Sequence, residues 1–246
     1  MRNIKLTIEY DGTNYRGWQV QGEAPTIQKM LGEAIAQVVQ HPVSIIGSGR
    51  TDSGVHALGQ VANFTTDSAI PAQQLVRAIN AHLPADIAVV AAQDVPQGFH
   101  ARYSAKQKTY RYRILDREVR CPALRNYAYH LPARLDLDEM NRAARYLIGE
   151  HDFRAFQSKA SEAEDRSSVR TITAADVARS GQLIELHLSA DGFLYNMVRA
   201  IVGTLIQVGI GKIGADEFKR IIESKDRSLA GPTAPARGLC LMEVTY

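Results

Sequence analysis

At 246 residues the chain has room for one large domain or two small ones, and its 45% hydrophobic and 22% charged content is that of an ordinary globular protein. A net charge of +3 is too small to argue for a nucleic-acid partner by itself, and no stretch reaches the roughly 18 uncharged apolar residues of a membrane span. Two cysteines, Cys121 and Cys240, are too few and too far apart for a disulfide scaffold or a zinc site. The N-terminus runs straight into a strand pattern with no signal-peptide apolar region, so a reducing cytoplasm is the expected location.

The first strand is read at Ile4–Tyr10, which alternates cleanly and ends at Asp11-Gly12. A helix follows Pro25, with Ile27, Met30, Leu31, Ile35, Val38 and Val39 on its apolar stripe. The run from Val43 to Ile46 reads as a short buried strand ending at Gly47. Beyond it lies Gly49-Arg50-Thr51-Asp52-Ser53-Gly54-Val55-His56-Ala57, which sets one carboxylate, Asp52, near Arg50 on a glycine-flanked loop. Loops held by a rigid scaffold are where catalytic side chains concentrate. The plainer reading of Asp52-Ser53-Gly54 is a turn whose aspartate bonds its own backbone. A strand around Val61–Phe64, a helix opened by Pro71 with Leu75, Val76 and Ile79, and a strand at Ile87–Ala92 complete this half. The order of elements is that of a split βαβ, ferredoxin-like unit.

The second half opens with a basic strand, Lys106–Leu115. From Arg102 to Arg120 the residues Arg102, Lys106, Lys108, Arg111, Arg113, Arg117 and Arg120 meet only Asp116 and Glu118, with Tyr103, Tyr110 and Tyr112 threaded among them. Alternation puts Lys106, Lys108, Tyr110 and Tyr112 on one face and Gln107, Thr109, Arg111 and Arg113 on the other. Neither is a plain apolar face, so the strand is expected to border a polar cleft. Cations with interleaved aromatics suit phosphate neutralisation and base stacking; a solvated strand whose tyrosines pack by their rings is the alternative. A helix is read from about Leu137 to Ile148, capped by Asp136 or Asp138, then a mobile surface loop at Lys159–Ser168. Val169–Ala178 and Leu183–Leu188 form a hairpin across Ser180-Gly181. A long helix runs from about Phe193 to Val208, a shorter one lies around Phe218–Ile222, and Leu239–Tyr246 is a final strand. The expected fold class is α+β, two ferredoxin-like halves with mixed, largely antiparallel sheets flanking a basic active-site cleft. The expected domains are 1–104 and 105–246.

Several chemical signals fall away. Gly209-Ile210-Gly211-Lys212-Ile213-Gly214 matches a dinucleotide fingerprint literally but follows a helix rather than a strand, so helix termination explains it better. The seven histidines show no metal spacing, and His56 is read as a hydrogen-bonded loop histidine. Neither cysteine sits where a thiolate would be activated. Asp52 is left as the best nucleophile or base. Arg199, in a helix apolar on most sides, calls for a carboxylate or phosphate partner, since breaking a buried pair costs about 3–5 kcal/mol; a snorkelling surface arginine is the alternative. Were it to face Asp52, it would lower that pKa and hold the carboxylate in one geometry.

The nonapeptide at 49–57 with Gln60-Val61 resembles the signature of the tRNA pseudouridine synthase A family. Tyr10-Asp11-Gly12-Thr13, Tyr15-Arg16-Gly17-Trp18-Gln19, Lys108-Thr109-Tyr110-Arg111-Tyr112, His151-Asp152-Phe153 with Ala155-Phe156, the Phe193–Arg199 segment, and Ala234-Pro235 with Gly238-Leu239 match in family order over nearly the whole chain. The resemblance implies conversion of uridine to pseudouridine at tRNA positions 38 to 40 in the anticodon arm, with no cofactor and no metal. It implies Asp52 as the nucleophile, attacking uracil C6 or ribose C1′, Tyr110 against the uracil, and Arg199 paired with Asp52. Arg50 fits a role in opening the stem and holding the flipped nucleotide. The family works as a homodimer with a basic cleft in each protomer, and no membrane is implied. Two other readings compete: a non-catalytic tRNA-binding protein, for which a carboxylate facing anionic RNA has no use, and a uracil methyltransferase, for which no reactive cysteine or adenosylmethionine site is visible.

Overall fold

The computed structural model describes residues 1–158 and 167–246. The surface loop read at Lys159–Ser168 lies, except for Ser167 and Ser168, outside the described residues. Two compact units emerge, Met1–Lys106 with Cys240–Tyr246, and Gln107–Leu239.

The first unit runs β1 (Arg2–Tyr10), α1 (Ile27–Val39), β2 (Ile46–Gly47), β3 (His56–Thr66), α2 (Ala72–Asn80) and β4 (Ile87–Val95). Its strands pair antiparallel in the order β4-β1-β3-β2, the ferredoxin-like arrangement. Alternation in β1 buries Ile4, Leu6, Ile8 and Tyr10, each at most 4% exposed. Ile27, Leu31 and Ile35 of α1, with Leu75 and Ile79 of α2, are fully buried in the same unit. Each such side chain contributes about 1.5–3 kcal/mol of burial. The Thr26 hydroxyl caps α1 by accepting from Lys29 N at 3.3 Å, and Gln40, at φ 61°, closes it in the left-handed region. The strand expected from Val43 is only the pair Ile46–Gly47. The Ile45 carbonyl accepts instead from Gln28 Nε2 of α1 at 2.9 Å, so the chain joins the sheet one residue later.

The second unit runs β5 (Gln107–Leu115), β6 (Tyr129–His130), α3 (Leu137–Arg145), β7 (Gly149–Asp152), β8 (Val169–Ser180), β9 (Leu183–Ala190), α4 (Met197–Gly209) and α5 (Ala215–Ser224). Strands β5-β9-β8-β7 pair antiparallel, and β6 adds to β5 in parallel. The fold is thus α+β with mixed, largely antiparallel pairing. Asp136, not Asp138, caps α3 by accepting from Glu139 N at 3.0 Å. The β8–β9 turn is closed by Gly181 at φ +59°, a conformation that favours glycine. The last strand, β10 (Leu239–Thr245), pairs in parallel with β3 through Cys240↔His56 and Leu241↔Ala57.

Helix α4 starts at Met197 rather than Phe193 because Asn196 takes φ 61°, which breaks the helical run and leaves 193–196 as an irregular lead-in. The segment 231–234 lies directly on α4: Gly231 N donates to Thr204 Oγ1 at 2.8 Å, and Ala234 N to the Arg199 carbonyl at 3.0 Å. That approach depends on Gly203, where an added Cβ would run into the Pro232 carbonyl oxygen. Helix propensity alone says Gly203→Ala should stabilise by about 1 kcal/mol. The clash reverses the sign: the expected result is a net destabilisation of about 1–3 kcal/mol, read from the urea midpoint.

Candidate active site

Asp52 and Arg50 share the loop between β2 and β3 in the first unit. Arg50 is exposed and Asp52 half-buried, whereas Thr51 between them is buried. Thr51 is bonded through both backbone and side chain: its carbonyl accepts from Trp18 N at 3.0 Å, and its hydroxyl meets the Tyr10 hydroxyl at 2.8 Å. Ser53 Oγ donates to the Tyr15 carbonyl at 3.1 Å, and Val55 N donates back to the Asp52 carbonyl at 3.1 Å. The backbone that carries the carboxylate is therefore held on either side of it.

Beneath the loop sits Gln60, fully buried on β3. Its amide donates to the Gly49 carbonyl at 3.1 Å and to Tyr10 Oη at 3.4 Å. Its carbonyl oxygen accepts from Ser48 Oγ at 2.7 Å and from its neighbour Val61 N at 3.1 Å. Between Ala57 and Gln60, β3 is out of step with β1 by one residue, a bulge opposite Glu9. His56, 6% exposed at the start of β3, accepts at Nδ1 from Gly12 N at 3.1 Å, with Asp11 Oδ1 also 3.1 Å away. It is hydrogen-bonded, as expected, but stands as the first residue of β3 rather than in the loop. Burial is the largest influence on the Tyr10 hydroxyl and pushes its pKa well above the usual phenol range, so it enters this network protonated.

Tyr110 and Arg199 belong to the second unit, and both meet the 193–196 lead-in. Tyr110, on β5 opposite Leu188, packs edge-on against Phe193 with centroids 5.2 Å apart. Arg199 Nη1 donates to Asn196 Oδ1 at 2.9 Å, and its Nε donates to the Ala234 carbonyl at 2.8 Å. Tyr110 and Tyr112 are 8% and 1% exposed. The Tyr112 hydroxyl donates to the Pro235 carbonyl at 2.8 Å, and burial raises its pKa far out of range.

The expected run of phosphate-binding cations is reduced. Glu185 of β9 takes up Arg113 at 2.8 Å and lies 3.9 Å from Arg111. Burial pushes the Glu185 carboxyl up, but the hydrogen bond from Arg113 and the charges of Arg111 and Arg113 outweigh it and hold the pKa below the usual range. The glycine run after α4 terminates that helix: Ile210 N and Gly211 N donate to the Ile206 and Val208 carbonyls, and Gly211 adopts φ +73°. Among the described residues no group of three or more His, Cys, Asp or Glu side chains is placed to hold a metal ion, and no helix is long and apolar enough to cross a membrane. Tyr10, Thr51 and Gln60 all stood within matched motifs, but the sequence did not single them out as supports of Asp52.

A sequence model of the family described as tRNA pseudouridine synthase matches residues 6–104 and 143–246. Relatives called tRNA pseudouridine synthase A in Thermoanaerobacter sp. (strain X514) and Acetivibrio thermocellus are 52% and 53% identical, each over 246 residues covering 100% of both chains. One called tRNA pseudouridine synthase A 2, in Clostridium perfringens, is 51% identical over the same span. The chain belongs to the tRNA pseudouridine synthase family.

Two outcomes follow from the geometry. Gln60→Leu keeps the volume but strips partners from Ser48, Gly49 and Tyr10; it is expected to cost about 1–3 kcal/mol in urea unfolding and to speed proteolysis between residues 48 and 55. Because the folded Glu185 pKa is lowered, its stabilisation is present above the usual carboxylate range and is lost as pH falls through the lower folded value. Acid unfolding of Glu185→Gln should therefore show a shallower loss of stability with falling pH than the parent.

Proposed function

We propose that this chain isomerises uridine to pseudouridine in tRNA, at positions 38, 39 and 40 of the anticodon arm, with Asp52 as the nucleophile. The observation that carries the reading is the Asp52 loop, where a half-buried carboxylate stands on backbone fixed through Thr51 and Ser53. Family membership points to the same reaction class.

In the proposed sequence of events the target uridine leaves its stack, at a cost of a few kcal/mol. Arg50, exposed on the loop, holds the stem open and steadies the flipped nucleotide. The uracil rests against Tyr110, where stacking worth about 1–3 kcal/mol offsets much of that cost. The Asp52 carboxylate then forms a bond to uracil C6 or ribose C1′, and the N1–C1′ bond breaks. The base turns, C5 bonds to C1′, the carboxylate departs and the C5 proton is lost while N1 gains one. Atoms and electrons balance within the isomerisation, so no external oxidant or reductant is consumed. Arg199 pairs with Asp52 and holds the carboxylate in one geometry for attack. The protein works as a homodimer in the cytoplasm, reading RNA by shape and phosphates, since three neighbouring positions in varied sequences share no base-edge pattern.

Carbodiimide mapping of an unmodified tRNA transcript after incubation with the protein is expected to stop reverse transcription one nucleotide 3′ of position 38, 39 or 40; stops confined to another arm would contradict the assignment. Arg199→Gln is expected to lower kcat while tRNA binding is retained, because the carboxylate loses the partner that orients it. Arg199→Lys should restore part of the loss. An unchanged kcat in Arg199→Gln removes Arg199 from this role.

A further inference from the structure

Tyr103, in the first unit, is 78% exposed, yet its ring is held in one orientation. It stacks on His100 with centroids 4.3 Å apart and planes 29° from parallel, and the Arg102 guanidinium lies 5.8 Å from its centroid. His100 is fixed in turn: its Nδ1 accepts from Arg102 N at 3.2 Å and Tyr103 N at 3.3 Å, and its backbone N donates to Ser104 Oγ at 3.1 Å.

The turn is anchored to the unit's core through Ala101, which is fully buried. Ala101 N donates to Asn63 Oδ1 at 2.8 Å, and its carbonyl accepts from the Tyr246 hydroxyl at 2.8 Å. Asn63, 3% exposed on β3, donates to Asn3 Oδ1 at 3.0 Å, and Asn3 donates to the Phe99 carbonyl at 3.0 Å. A chain of buried amides thus sets where the exposed ring stands, although the proposed reaction has no use for it.

We propose that Tyr103, backed by His100 and flanked by Arg102 and Lys106, is a stacking platform for an unpaired nucleobase of the RNA substrate, separate from the Asp52 loop. The proposal rests on the tRNA reading above. Aromatic faces accept any base, and a ring that is already oriented loses little rotamer freedom on binding. Residues 97–106 hold Arg102 and Lys106, both exposed, and no acidic side chain, which favours a polyanion over a protein surface. Asn63, which holds the turn, and His56, where the Asp52 loop re-enters the sheet, stand at separate points on β3, roughly 20 Å apart at about 3.3 Å per residue. The base received here is therefore another nucleotide than the one that reacts, in a loop or at an end where bases are unstacked.

The test compares tRNA affinity and KM of the full-length parent with Tyr103→Phe and Tyr103→Ala at several salt concentrations. Tyr103→Ala is expected to weaken binding about 5- to 150-fold with the salt slope unchanged, since no phosphate contact is lost. Tyr103→Phe keeps the ring and is expected to bind like the parent. Arg102→Ala should instead reduce the salt slope. Parent-like affinity and KM in Tyr103→Ala would overturn the platform. So would a loss that accompanies a changed sedimentation coefficient, which would place the ring between two copies of the chain. A parent that turns over tRNA beside an unaffected Tyr103→Ala refutes only the platform; a parent that neither binds nor modifies tRNA refutes the functional reading itself.

Discussion

The loop that carries Asp52 keeps its backbone in place while the carboxylate stays half-open to solvent, and in this chain that constraint falls on one buried amide. Gln60 has no exposure to water, and both ends of its side chain are used, one on Ser48 and Val61, the other on Gly49 and Tyr10. The polar groups it satisfies would each cost about 1–3 kcal/mol if left unpaired in the interior. That asymmetry selects one loop path among those a glycine-rich segment can take. Gly17 and Gly47 serve the same end by absence: a Cβ would stand 2.6 Å from the Thr51 carbonyl in one case and 2.6 Å from the Trp18 indole in the other.

The second unit applies the same device to an arginine. Arg199 is bound to the 231–234 segment twice, by its own carbonyl from Ala234 N and by its side chain to the Ala234 carbonyl. Its Nη1 reaches Asn196, the left-handed residue that delays the start of α4. Phe193 of the same lead-in packs on Tyr110. One short irregular stretch therefore places two side chains that the sequence separates widely, and its irregularity is what periodicity cannot see.

What was legible followed from local chemistry. The alternation of Ile4, Leu6 and Ile8, the stripe of Ile27, Leu31 and Ile35, the cap at Asp136 and the turn at Gly181 each depend on residues within a turn or two. The Asp52 loop was legible because glycines flank a carboxylate after a strand. What was not legible depends on distant partners. Arg111 and Arg113 looked like RNA-facing cations until Glu185, far along the chain, was seen to occupy them. The shortness of β2 depends on a glutamine in α1 claiming the Ile45 carbonyl. Gln60 stood in plain view as a motif residue, but an amide in an apolar strand reveals its role only when its partners are in place.

The measurement that bears most directly on Asp52 is tritium release from tRNA labelled at uracil C5, comparing the protein with Asp52→Asn in the absence of any added cofactor. Release by the parent and none by Asp52→Asn, with tRNA binding retained by both, is the predicted result. Release by Asp52→Asn at the parent's rate would contradict the assignment of the nucleophile. Binding by both proteins without release by either would mark a tRNA-binding module that does not catalyse the reaction.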